Sequence, residues 1–152
     1  VTVFLAAASI IYIFDQTSKY LVERYLSQGD TIPVINGFFH ITLVHNKGGA
    51  FGIFSSHPLV FSLIAAVCAV CICFFLYKKH RSICSYDMFA LSFILSGTLG
   101  NLTDRIRTGS VIDFIDLRIW PVFNIADSFI SIGVGMLILA MFWKGKKAEC
   151  HA

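Results

Sequence analysis

Gly100-Asn-Leu-Thr-Asp-Arg105, Val111-Ile-Asp-Phe114 and Phe123-Asn-Ile-Ala-Asp127 make up one stretch in which two aspartates, Asp113 and Asp127, stand just outside long apolar runs. A carboxylate at the edge of a membrane span is costly unless it has a partner or a task. These two are fourteen residues apart, one on each side of a Trp120-Pro121 turn. A connection between adjacent spans can fold back there and bring the carboxyls together. Two carboxyls that share a proton form an acid/base pair able to activate water.

The rest of the chain places this stretch at a bilayer. Of 152 residues, 57% are hydrophobic and only 14% charged, against about 25% charged in soluble domains. Mean hydropathy is +0.76. Pro58 to Tyr77 is an uncharged run stopped by Lys78, Lys79 and Arg81, long enough to cross a core of about 30 Å. Met88 to Thr103 and Ser128 to Trp143 are two further runs, both short for a full crossing. Asp104 and Asp127 are therefore expected within the interfacial layer. A first run from about Val1 to Leu26 is interrupted in its second half by Asp15, Lys19, Glu23 and Arg24. The sequence predicts a membrane all-α bundle of four transmembrane helices in one integral domain, 1–152. Ser92, Ser96, Gly97 and Gly100 are small residues that let helices approach closely in lipid.

Basic residues mark the cytoplasmic side. They follow the second and fourth runs, while the 27–57 connection has only Lys47. The arginines of the 104–123 connection are accompanied by Asp104, Asp113 and Asp116. Both termini and the 78–87 turn are thus predicted to be cytoplasmic, and both long connections to face outward. In the first of these, β-prone residues of 31–44 flank Asn36-Gly37, a hairpin signal. The apolar residues and glycines of Lys47-Gly-Gly-Ala-Phe-Gly-Ile-Phe54 suit a segment lying on the membrane surface. The first run lacks a basic leader and does not read as a cleavable signal peptide.

Other chemistries find little footing. The net charge of +3 is too small to suggest nucleic acid. The five histidines have no metal-ligand spacing, and no G-x-S-x-G is present. The five cysteines do not read as a disulfide framework; Cys68, Cys71 and Cys73 read as small packing residues in an uncharged span. Several polar residues carry two readings. Asp15 and Lys19, spaced i, i+4, are either an internal salt bridge or the wall of a polar cavity. Asn124 and Asp127 fit a helix N-cap with an acidic first turn, which leaves Asp113, Asn101 and Asp104 unexplained. Asp104 with Arg105 reads as paired charges at a helix end, and Asp116 with Arg118 as a solvated pair.

Five motifs in order then resemble one family. Asp15-Gln-Thr-Ser-Lys19, Val44-His-Asn-Lys-Gly-Gly-Ala-Phe-Gly52, Gly100-Asn-Leu-Thr-Asp-Arg105, Gly109-Ser-Val-Ile-Asp-Phe114 and Trp120-Pro-Val-Phe-Asn-Ile-Ala-Asp127 are similar to those of lipoprotein signal peptidase, signal peptidase II. That resemblance implies a membrane aspartic endopeptidase of the bacterial inner membrane. It would remove signal peptides from diacylglyceryl-modified prolipoproteins, cutting before the lipidated cysteine. It maps the catalytic pair onto Asp113 and Asp127, and lining positions onto Asn46, Gly48, Asn101, Arg105 and Asn124. Asp15 and Lys19 match a supporting polar motif, with Asp104 beside them. An outward β-cradle maps onto about 31–46 and an interfacial helix onto about 47–56. Gly49 stands where alanine is more usual. The expected partners are the lipidated precursor and membrane lipids, with no nucleic acid, no metal and no cofactor; the chain is expected to act as a monomer with its site on the periplasmic face. Two other readings stay open: a small proton- or ion-coupled carrier, and a structural subunit binding a partner span.

Overall fold

In the computed structural model of the chain the described residues are 2–48, 58–79 and 82–144. Among the described residues, four helices and three strands follow in the order α1 (Thr2–Tyr25), β1 (Thr31–Ile35), β2 (Phe39–Asn46), α2 (Pro58–Lys79), α3 (Ser85–Thr108), β3 (Val111–Asp116) and α4 (Ile125–Lys144). Two stretches, Leu59–Lys79 and Ile125–Phe142, are long and apolar enough to cross a membrane. Their outer faces leave Leu63, Val70, Leu139 and Phe142 exposed, a surface that water does not favour. The predicted interfacial segment 47–56 falls outside the described residues except for Lys47 and Gly48.

Helix α3 is the hub against which α1, α2 and α4 pack. Small residues permit this. A Cβ on Gly97 would run into the carbonyl of Ala126 and lie 2.7 Å from Cγ1 of Ile130, so α3 and α4 touch backbone to side chain. Ser92 and Ser96 turn their hydroxyls back onto the carbonyls of Phe89 and Phe93, which satisfies them in an apolar contact. Phe4, Ala69, Ile72, Leu76, Ile94 and Leu95 form the core at the other end of the bundle.

Two boundaries differ from the sequence reading. Helix α3 runs on through Asp104 and Arg105 to Thr108 and stops at Gly109, whose φ of 75° is the left-handed C-cap conformation that glycine adopts freely. Charge does not break the helix at Asp104 because that carboxylate pairs with Lys19 of α1 at 2.7 Å, not with its neighbour Arg105. The 104–123 connection also contains a strand, β3, rich in the β-branched and aromatic residues that favour one. The sheet order is β1-β2-β3, antiparallel throughout. Its Leu43, Ile112 and Phe114 bury against Val22 of α1. Among the cysteines, Cys68, Cys71 and Cys73 are free, whereas Cys84 is disulfide-bonded, which spacing in the sequence did not reveal.

The helix contact gives a stability test. Gly97→Ala is expected to cost about 1–3 kcal/mol through overpacking, read as a lower thermal midpoint in detergent. Gly135→Ala, with nothing within 4 Å of the new methyl, is expected to be neutral or stabilising, since alanine is the better helix former.

Candidate active site

The chain returns on itself between β3 and α4. Phe123 exchanges backbone hydrogen bonds with Ile115 at 2.7 and 3.1 Å, so the loop containing Trp120 and Pro121 closes and Asn124 comes to lie beside β3. Asn124 then caps α4: its Oδ1 accepts the N–H of Asp127 at 2.9 Å. The same side chain donates from Nδ2 to Oδ1 of Asp113 at 2.6 Å, with the carbonyl of Ile112 and Oδ1 of Asn101 also in reach at 3.2 and 3.1 Å. The cap and the site are one residue, so the two readings of Asn124 do not compete.

Asp113 receives its second donor across the sheet. Val44 lies directly opposite Asp113, and Asn46 opposite Val111, which puts Asn46 on the same face and diagonal to the aspartate. Its Nδ2 donates to Oδ2 of Asp113 at 2.9 Å, while its Oδ1 accepts the N–H of Gly48 at 3.0 Å. Asp127 is held from α3, where Asn101 donates from Nδ2 to its Oδ1 at 2.7 Å. Asn101 and Asn124 thus tie the two carboxyls into one hydrogen-bonded unit.

Both carboxyls face a cavity of about 670 Å³. Asn46, Gly48, Asn101 and Arg105 line it as well. Asn124 is fully buried behind it. Arg105 donates weakly to the carbonyl of Gly48 at 3.4 Å and lies 5.6 Å from the centre of the Phe61 ring, a cation–π contact. Its Nε is buried and has no partner among the described residues. Asp15, Lys19 and Asp104 are not on the wall. They form a sealed ion group behind Asn101, with Lys19 also 2.9 Å from Asp15. Asp116, the other acid of β3, is buried and pairs with Arg118 at 3.1 Å. The sequence did not single out Gln16, which donates to Asp104 at 3.0 Å, or the wall residues Trp120 to Phe123; the Trp-Pro turn was the available signal for the latter.

The environment of Asp113 is unusual for a carboxyl. It is 2% exposed, and burial, followed by the charge of Asp127, pushes its pKa up to about 7; the amides of Asn46 and Asn124 and the charge of Lys19 oppose the rise. A carboxyl titrating near neutrality can hold a proton or release it at working pH.

The sequence profile of the family described as "Signal peptidase (SPase) II" matches residues 7–143. A protein of Syntrophus aciditrophicus named lipoprotein signal peptidase is 40% identical over 95% of this chain and 94% of its own length. One of Halothermothrix orenii with the same name is 42% identical over 91% and 93%. Among solved structures, one described as a bacterial membrane enzyme superposes with a TM-score of 0.91 at 33% identity, covering 100% of this chain and 94% of its own. A second, described likewise, gives 0.83 at 36% identity, covering 93% of each.

A raised pKa in the folded state means that folding favours protonated Asp113. That contribution is complete below about pH 4 and is lost as pH rises through about 7. Asp113→Asn removes the titration. The variant is therefore expected to gain stability relative to the parent as pH rises across this window, read from thermal midpoints in detergent at both ends of it.

Proposed function

Because the chain belongs to the signal peptidase II family, we propose that it is an aspartic endopeptidase that removes signal peptides from diacylglyceryl-modified prolipoproteins, cutting just before the lipidated cysteine. The observation that carries this reading is that Asp113 and Asp127 open on one cavity while Asn101 and Asn124 join them. The chain crosses a bacterial inner membrane four times, acts as a monomer, and keeps both termini in the cytoplasm. The sheet and cavity then stand on the periplasmic side, where an exported precursor presents its cleavage site. The apolar outer faces of the helices and the basic end of α2 at Lys78 and Lys79 support that placement.

Asp127 lies in the first turn of α4, where the helix dipole favours a carboxylate. It takes a proton from water as the oxygen attacks the scissile carbonyl. Protonated Asp113 donates to the carbonyl oxygen as it becomes tetrahedral. When the intermediate collapses, the C–N bond breaks and the leaving amine receives the proton held by Asp127. The carbonyl re-forms, its proton returning to Asp113. Arg105, whose Nε has no partner among the described residues, and Asn46 supply donors for the substrate backbone or the lipid-bearing segment. The carrier reading needs charges along a transbilayer path. Asp15 and Lys19 are sealed against each other and Asp104, and Asp113 and Asp127 open together on one cavity, which favours the enzyme.

Asp113→Asn and Asp127→Asn are each expected to lower turnover by about 10²–10⁴-fold in a processing assay on lipidated precursor, with gel-filtration behaviour unchanged. Turnover near the parent rate would remove the dyad.

Lipid dependence provides a separate check. Each CH₂ of a buried acyl chain contributes about 0.8 kcal/mol, enough over two chains to hold the scissile bond at the depth of the carboxyls. The precursor lacking its diacylglyceryl group is expected to be cut poorly or not at all. Equal rates on both substrates would contradict the proposed siting of the chemistry.

A further inference from the structure

The most deeply buried charges among the described residues take no part in water activation. Asp15, Lys19 and Asp104 are 0%, 1% and 0% exposed. A lysine ammonium has three N–H bonds and no acceptor. Here all three are used: on Oδ2 of Asp104 at 2.7 Å, Oδ2 of Asp15 at 2.9 Å and Oδ1 of Asn101 at 3.0 Å. Each carboxylate also grips the backbone of an element that bears a cavity aspartate. Oδ1 of Asp15 accepts the N–H of Ala126 at 2.8 Å, one residue before Asp127. Oδ2 of Asp104 accepts the N–H of Ile112 at 3.3 Å, one residue before Asp113.

Asn101 adds a directional constraint. With its Oδ1 on Lys19, its Nδ2 must turn to Oδ1 of Asp127. The rotated amide would set an N–H against an ammonium and a carbonyl oxygen against a carboxylate, so both contacts would become repulsive.

We propose that Lys19 is a positioning residue for the two-aspartate chemistry: through Asn101 it orients Asp127, and through Asp15 and Asp104 it sets the spacing of Asp127 from Asp113. This rests on the assignment of those two aspartates as the catalytic pair. The opposing view is that the ion group only makes a charged helix tolerable and stabilises the bundle. In that case any substitute restoring stability restores the rate.

Removing Lys19 alone leaves two buried carboxylates without a counter-charge, which is strongly destabilising. The informative variant is Lys19→Met/Asp15→Asn/Asp104→Asn, which is neutral and retains acceptors for Ala126 and Ile112. It is purified in detergent, checked by gel filtration and thermal unfolding, and assayed on lipidated precursor beside Asp127→Asn. The expected result is a folded protein whose kcat falls about 10²-fold, the scale of a misplaced catalytic group, while KM stays within about threefold. A folded variant with parent-like kcat, or one in which KM alone changes, overturns the proposal. If Asp127→Asn itself turns over, the fault lies in the catalytic assignment instead. Should the triple variant not accumulate, Lys19→Leu/Asp15→Asn/Asp104→Asn, equally neutral and with a more rigid apolar side chain, is judged by the same two results.

Discussion

A lysine ammonium buried to 1% exposure must be matched by charge and hydrogen bonds or the region cannot close around it. Lys19 meets that demand with a carboxylate from its own helix, a carboxylate from α3 and an amide from α3. The demand therefore draws α1 against α3. The same two carboxylates hold the first turn of α4 and the first half of β3. One unfavourable burial thus specifies the mutual placement of four elements. A wholly apolar contact of equal area would permit them to slide.

The cavity depends on that placement but is chemically separate from it. Its carboxyls accept bonds from neutral amides, Asn46, Asn101 and Asn124. Neutral donors fix position without forcing ionisation as an adjacent ammonium would. Lys19 stays one residue removed, behind Asn101. This allows Asp113 to titrate near neutrality.

Much of this was legible in the residues. The apolar runs marked the helices, and Asn36-Gly37 marked the hairpin that β1 and β2 form. Small residues at Ser92, Ser96 and Gly97 marked the close face of α3. What escaped were pairings between distant positions. Asp104 looked bound to Arg105 because they are adjacent, yet its partner lies on another helix. Strand β3 was read as connection because the strand it pairs with, β2, is far away in sequence.

By itself the sequence determined the apolar runs, the presence of paired acids beside two of them and, through five ordered motifs, the family. These are local properties, carried by composition and spacing over a few turns. Only the tertiary structure decided which acid meets which donor. Asp15 and Asp104 are acids like Asp113 and Asp127, and residue type alone cannot divide the four into an ion group and a cavity pair. The division comes from where Lys19 ends up, and that depends on packing α1 against α3.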